Sequence, residues 1–317
     1  MNEDYTEFRI RGHFNEPLII NELEQNLCSY LAWALLRIGA FSNVTTGVTD
    51  FTTLHKVDDR SYSGNRVYQS IRKDSIWESG VNYLPPTGVT TYDPLPVQVY
   101  VNNSLKTTGD SGFEHYIDYP LGRVVFDAPQ TGTIKAQYSY RQVQVSTSND
   151  VNGWFEINYD SLTPDDIQWS QNLTSGDYSL SSTNRMQLPA IVVEAVAGRD
   201  ARPFELGTLV SRNKQDVLFH VIAQDRYTRN NITDILSLQK DKTIILYDTD
   251  KVYDAGLFPL DERGMKVDNP TMYPNLVNNE ATVFRQAIFD KISVSEVKTQ
   301  HPNLHWAVIR STLEVIY

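Results

Sequence analysis

Hydrophobic positions near the start of the chain recur with the spacing of a helix. Apolar side chains return every three or four residues over positions 23–38, which places them on one helical face. Asn21 followed three residues later by Glu24 is typical of a capping box. The pattern therefore predicts a helix over residues 21–38.

A second face of this helix also carries large apolar residues. Trp33 and Leu36 lie off the main apolar stripe. We expect them to contact a sheet or another subunit, and they are candidate interface residues.

After residue 50 the hydrophobic period changes to two, which is typical of strands. Residues 97–101 predict one strand, and residues 134–140 predict another. Residues 116–126 predict a hairpin that turns at Pro120–Gly122. Short strands with frequent turns indicate a small β-sandwich or barrel over residues 51–180.

The alternation shifts by one position after Arg141. Apolar residues occupy even positions before it and odd positions after it, at Val143 and Val145. Such a phase shift indicates a β-bulge.

The last third of the chain mixes strand and helix patterns. The pattern predicts strands at 191–196, 216–223, 243–247 and 306–317, and a helix at 231–239 capped by Asn231. Residues 281–298 fit either a helix or a strand. Together these elements predict an α+β protein in which an α/β domain, made of residues 1–50 and 181–317, is interrupted by the β-rich domain 51–180.

Charge and composition narrow the function classes. The chain has 317 residues, with 28 Lys and Arg against 39 Asp and Glu, so its net charge is −11. An acidic chain is poorly suited to hold DNA, although DNA can pass beside it. The single Cys excludes an internal disulfide framework. No signal-peptide pattern or long apolar run is present, so we expect assembly in a cytoplasm and no membrane partner.

Residue motifs for catalysis, phosphate binding or metal binding are missing from the sequence, so no enzyme, cofactor or metal is predicted. Carboxylates at Asp248, Asp250 and Asp254 suit a hard cation, but a solvated turn explains them more simply. Asp165 and Asp166 are the other candidates for a hydrolase.

Aromatic and basic residues supply the remaining candidate contacts. Tyr100, Tyr138 and Tyr140 belong to a tyrosine cluster in the β-rich region, which fits strand packing, a protein interface or a carbohydrate platform. Arg226, Tyr227 and Arg229 fit contact with phosphate or with an acidic neighbour, although a solvated connection between a strand and a helix explains them more simply. For the tyrosine cluster, strand packing, a protein interface and a carbohydrate platform all stay open as interpretations.

Two parts of the chain resemble structural proteins of tailed bacteriophages. One is the β-rich phrase that runs from Val97 through Tyr116-Ile-Asp-Tyr-Pro-Leu-Gly-Arg-Val-Val-Phe126 to Tyr138-Ser-Tyr140, which looks like small β modules of neck, tail and baseplate proteins. The other is the order of the helix 21–38 and the elements after residue 190, which resembles tail-terminator proteins.

The resemblance implies a virion protein of the neck or tail end. Proteins of the tail-terminator family form rings, so it implies a hexameric ring of this chain that joins the tail to the head connector and lets DNA pass. Neck, tail-tube and sheath proteins would be its partners, and Asp248, Asp250 and Asp254 are candidates to line the lumen. A baseplate or collar component, or a carbohydrate-binding adhesin, is the alternative.

Overall fold

Strands dominate the part of the chain that the computed structural model describes, which comprises residues 19–36, 40–45, 52–57, 61–62, 64–77, 94–148, 187–203, 211–268, 272–273, 275–277, 280–301 and 304–316. The helices are α1 (Ile19–Tyr30), α2 (Arg226–Ser237) and α3 (Thr249–Asp254), with a π-helical turn at Leu31–Leu35 and a 3-10 turn at Asn275–Val277. The first strands are β1 (Phe41–Val44), β2 (His55–Lys56), β3 (Val67–Gln69), β4 (Gln98–Val101), β5 (Ser104–Lys106), β6 (His115–Asp118), β7 (Arg123–Phe126) and β8 (Ile134–Arg141). The others are β9 (Gln144–Thr147), β10 (Ala190–Pro203), β11 (Ser211–Ala223), β12 (Thr243–Tyr247), β13 (Val283–His301) and β14 (Leu304–Ile316).

The predicted α/β, tail-terminator-like fold is wrong. Of the described residues, 46% lie in strands and 19% in helices, so the protein is mostly β. The segment that fitted either a helix or a strand, 281–298, lies in the 19-residue strand β13. β13 and β14 form a long antiparallel hairpin, whereas an α/β fold needs helical crossovers between parallel strands.

One six-stranded sheet organises the larger part of the molecule. Its strand order is β12-β13-β14-β11-β10-β9, and every neighbouring pair is antiparallel except β9 with β10. Helix α1 contacts β12 at one edge and both β9 and β10 at the other. A single helix can reach both edges only because the sheet curls around it. The apolar side of α1 and the inner side of the sheet therefore form one core with α2.

Two four-stranded sheets form a smaller β module. Their orders are β1-β8-β4-β5 and β2-β3-β7-β6. Side chains of both sheets share one core, which includes Val99, Tyr138 and Phe126. Strands β6 and β7 are antiparallel, with Gly122 at a positive φ of 61° in their turn, which confirms the hairpin predicted for residues 116–126.

The phase shift after Arg141 has a different cause from the bulge that we expected. β8 ends at Arg141 in the small module, and β9 begins at Gln144 in the six-stranded sheet. The two strands bury their side chains against different cores, so the alternation restarts between them. β1 likewise pairs with β8 of the module, although it precedes residue 50. The hydrolase candidates Asp165 and Asp166 lie outside the described residues.

The helix predictions agree with the structure in position but differ in their caps. α1 and the π-helical turn cover most of the predicted 21–38 helix. α2 begins earlier than predicted, because Asp225 and not Asn231 caps it by accepting a hydrogen bond from the amide of Thr228. No helix within the described ranges is long and apolar enough to cross a membrane.

Candidate assembly surface

Helix α1 covers the backbone of the edge strand β12 with a polar side chain. The Oδ1 atom of Asn26 accepts from the amide of Tyr247 at 2.7 Å, and its Nδ2 atom donates to the carbonyl of Tyr247 at 2.9 Å. The hydroxyl groups of Ser29 and Tyr247 lie 2.6 Å apart. The amide of Asn26 thus takes the place of a neighbouring strand, and this part of the β12 edge is closed to a partner.

The same helix also covers part of the opposite edge. A carboxylate oxygen of Glu24 accepts from the amide of Ala195 in β10 at 2.7 Å. Glu24 is buried, and it lies just beyond the four residues of β10 that pair with β9. The predicted capping-box role of Glu24 is therefore wrong, because its carboxylate satisfies the backbone of a distant strand.

The candidate lumen acids lie along α3, with Asp248 and Asp250 at its start and Asp254 at its end. Asp248 is buried and caps this helix by accepting from the amide of Lys251, whose ammonium also pairs with it at 2.8 Å. Asp250 and Asp254 are exposed. Asp248 is thus a structural cap and does not face a lumen. No group of three or more His, Cys, Asp or Glu in the described part is arranged to hold a metal ion.

Glu22 of α1 reaches the same helix start. Its carboxylate accepts from the amide of Thr249 at 3.0 Å and from the hydroxyl of Thr249. Burial raises the pKa of Glu22, and the negative charges of Asp248 and Asp250 raise it further, while the bonds to Thr249 lower it. The bonds between Glu22 and Thr249 therefore hold the first turn of α3 against α1.

The two candidate interface residues of the N-terminal helix lie inside the molecule. Leu36 is buried in the main core. The ring of Trp33 lies edge-on to Trp77 of the module, with centroids 6.1 Å apart, and it contacts Phe258 at 5.8 Å. Phe258 in turn stacks on the exposed Tyr253 at 4.6 Å. Trp33 therefore joins the small module to the larger sheet, a role that helical spacing alone does not reveal.

The tyrosine cluster divides into buried and half-buried residues. Tyr138 is 1% exposed, and burial raises its pKa to about 12. Tyr140 is half-buried against Tyr138 and under the guanidinium of Arg72. Tyr100 is half-buried, and its hydroxyl donates to Gln98. The three side chains do not form an open platform, because Tyr138 belongs to the module core.

The basic candidates at the start of α2 also separate. Arg226 and Tyr227 are exposed, and Tyr227 is 75% accessible. Arg229 is buried, and its guanidinium donates to the side chain of Asn230. Burial lowers the pKa of Arg229, and the neighbouring Arg226 lowers it further. Only the first two of these residues can therefore contact a partner.

A cleft that sequence reasoning missed lies between the module and the loop after α3. Its volume is about 470 Å³, and its walls include Tyr62, Tyr116, Asp118 and Arg263. The hydroxyls of Tyr62 and Tyr116 share a short hydrogen bond, and burial together with that bond raises the pKa of Tyr116. The two walls meet where the amide of Tyr119 donates to the carbonyl of Gly264 at 3.0 Å. Since these walls come from residues far apart in sequence, no local motif marks the cleft.

Strand edges that no described strand covers form another candidate assembly surface. β12 pairs with β13 only as far as Ile288, so β13 has an uncovered edge over residues 291–299. β9 pairs with β10 only over residues 190–193, so β10 has an uncovered edge beyond Ala195. Uncovered strand edges carry backbone donors and acceptors and are suited to pair with another chain.

Comparisons with known proteins do not extend this picture. Models of known protein families show no match to the chain, and curated protein sequences show none either. The functional argument therefore rests on the residues and geometry described above.

Proposed function

We propose that this chain is a structural subunit of a tailed-phage virion, placed in the neck or at the tail end, where copies of it form a ring that lets DNA pass. The observation that carries the proposal is the β module. Its Gly122-Arg-Val-Val-Phe126 phrase, whose sequence resembles small β modules of phage neck, tail and baseplate proteins, supplies the turn glycine and the second strand of the β6–β7 hairpin. The mostly β fold offers no support for membership of the tail-terminator family. We therefore propose only that the chain lies in the neck or at the tail end of the particle.

The roles of the polar residues support an assembly protein over an enzyme. Glu22, Glu24 and Asp248 are occupied in closing strand edges or capping a helix. Catalysis requires such groups to face a substrate, and these carboxylates face backbone amides of their own chain. The net charge of −11 also suits a wall past which DNA slides without being held.

Locating the protein in particles tests the proposal. Purified virions are analysed by mass spectrometry, and antibody-labelled particles are examined by negative-stain electron microscopy. We expect the chain in the particle and the label at the junction of head and tail. Label at the distal end of the tail would support the baseplate alternative, and label around the neck periphery would support a collar. Absence of the chain from virions that carry every other structural protein would refute the proposal.

A further inference from the structure

The uncovered edge of β13 carries exposed apolar side chains. Val294 is 45% exposed and Val297 is 53% exposed. They pair in register with Ile309 and Ala307, two buried residues of the main core, so they stand on the inner side of the curled sheet. Valines on an uncovered strand edge are typical of a surface that a further strand completes.

Three bulges divide this edge into short regular segments. The register between β13 and β14 skips Asp290, Ser295 and Gln300. Bulges limit how far a neighbouring strand can pair, but four residues, 296–299, remain regular between two of them. A partner strand of four residues fits this segment.

The uncovered edge of β10 offers a regular segment of matching length. Residues 199–203 pair with β11 in unbroken register, and residues 199–202 are exposed. A two-residue irregularity precedes this segment, and buried Gln215 holds it by donating from Nε2 to the carbonyl of Val196. The end of β10 is therefore displayed in a defined position, beyond the part that Glu24 covers.

Strand direction makes these two edges compatible. β13 and β10 lie in the sheet on either side of β14 and β11, and each neighbouring pair is antiparallel, so β13 and β10 run in opposite directions. Two copies placed side by side in the same orientation would therefore present antiparallel edges to each other. The two edges can therefore pair directly as antiparallel strands.

Position along the strands makes the contact head-to-tail. Val297 of β13 pairs with Ala307 of β14, and Ala307 pairs with Val221 of β11. Ala201 of β10 instead pairs with Asn213 of β11. Val221 and Asn213 are separated by about 26 Å along β11, at about 3.3 Å per residue. Because the edges lie at diagonally opposite corners, one copy offers a β13 edge while its neighbour offers a β10 edge. Such a contact is heterologous, and it repeats from copy to copy.

We propose that β13 residues 296–299 of one copy pair antiparallel with β10 residues 199–202 of the next copy, with Val297 opposite Ala201. This register places the exposed Val297 beside the exposed Ala201. The inference deepens the proposed function, because it names the contact that would build the ring, and it rests on that proposal only for the place of the ring in a virion.

Disulfide trapping tests this register. On a Cys28→Ser background, Val297→Cys and Ala201→Cys are made as separate variants and mixed under mild oxidation. Directly opposed residues of an antiparallel pair lie within disulfide range, so we expect a covalent dimer only in the mixture. Leu105→Cys is the matched control, since Leu105 is 49% exposed and lies in β5 of the small module, and it should not crosslink with Ala201→Cys.

Two results of the trapping experiment would overturn the inference. Crosslinking of Val297→Cys with itself, as efficient as in the mixture, would indicate a two-fold β13–β13 contact. A mixture that stays monomeric at concentrations where the parent protein is oligomeric by light scattering would exclude this pairing.

A charge variant supplies an independent measurement. Val297→Lys places a cation on the proposed contact, opposite Ala201, and this position is exposed, so the fold should be retained. We expect the mass measured by light scattering to fall by at least half, with an unchanged far-UV circular dichroism spectrum. Leu105→Lys is the control, and it should keep the parent mass. Equal masses for all three proteins would contradict the inference.

Different experimental results would refute the proposed function and the β13–β10 contact. A chain located in the virion whose variants do not crosslink would keep its function and lose the β13–β10 contact. A chain that crosslinks as expected but is missing from virions would keep the contact and lose the virion assignment.

Discussion

The side-chain amide of Asn26 bonds to both backbone polar atoms of Tyr247, at 2.7 and 2.9 Å. The two residues are 221 positions apart in sequence. This contact closes one edge of the curled sheet, while Glu24 closes part of the other. Among the described residues, no strand pairs with the outer edge of β13 over 291–299 or of β10 over 199–202, and α1 does not bond to either segment.

Replacement of Asn26 should destabilise the protein strongly. Asn26→Ala leaves the amide and carbonyl of Tyr247 buried without their partner, and we expect a loss of about 2–4 kcal/mol in the free energy of unfolding. Urea unfolding measures it. Gln142→Ala is the control, because Gln142 is exposed and should change stability by less than about 0.5 kcal/mol. Equal effects of the two variants would contradict the edge-closing role.

The raised pKa of Glu22 predicts a pH dependence with a definite sign. In the window between its ordinary value of 4.5 and its raised folded-state pKa, the folded protein holds a proton that the unfolded chain has lost. Stability contributed by Glu22 therefore falls as the pH rises through that window.

Glu22→Gln removes this titration and keeps an acceptor for the amide of Thr249. We expect the difference in unfolding free energy, variant minus parent, to increase as the pH rises above 4.5 and then to level off. Urea unfolding from pH 4 to 8 measures it. A difference that decreases with pH would show that the bonds to Thr249 outweigh burial.

Removal of the Trp33 ring should loosen the attachment of the β module. Trp33→Ala deletes contacts with Trp77 and Phe258, and we expect a loss of about 2 kcal/mol in thermal or urea unfolding. Tyr227→Ala, at an exposed position, should leave stability unchanged. If Trp33→Ala weakened only self-association and not stability, the original interface hypothesis would be correct.

The tyrosines of the module should differ sharply in their effect on stability. Tyr138→Ala opens a cavity in the module core and should cost about 3–5 kcal/mol. Tyr140→Ala removes a half-buried ring and should cost about 1 kcal/mol. Thermal unfolding of both variants checks this order, and similar midpoints would argue against it.

Tyr100→Ala and Tyr140→Ala are the better tests of the adhesin alternative. Tyr138→Ala would lose carbohydrate binding through unfolding alone.

Sequence reasoning succeeded wherever neighbouring residues carry the information. The helical period before residue 38 and the Pro120–Gly122 turn both correspond to elements of the structure. It left helix and strand both open for residues 281–298, where exposed positions and bulges obscure the period of two in β13. That single element changes the class from α/β to mostly β, because it replaces a helical crossover with a long hairpin.

The sequence by itself determined which segments become helices and strands, since those preferences depend on spacing over a few residues. Only the tertiary structure decided what the polar and aromatic side chains do. In the sequence Glu24 fits a capping box and nothing marks Asn26, yet both side chains bond to strands that α1 reaches only because the sheet curls. Tyr138 and Tyr140 are two residues apart, and one of them is buried because a second sheet packs over it. Partners of this kind depend on long-range packing, which local spacing does not encode.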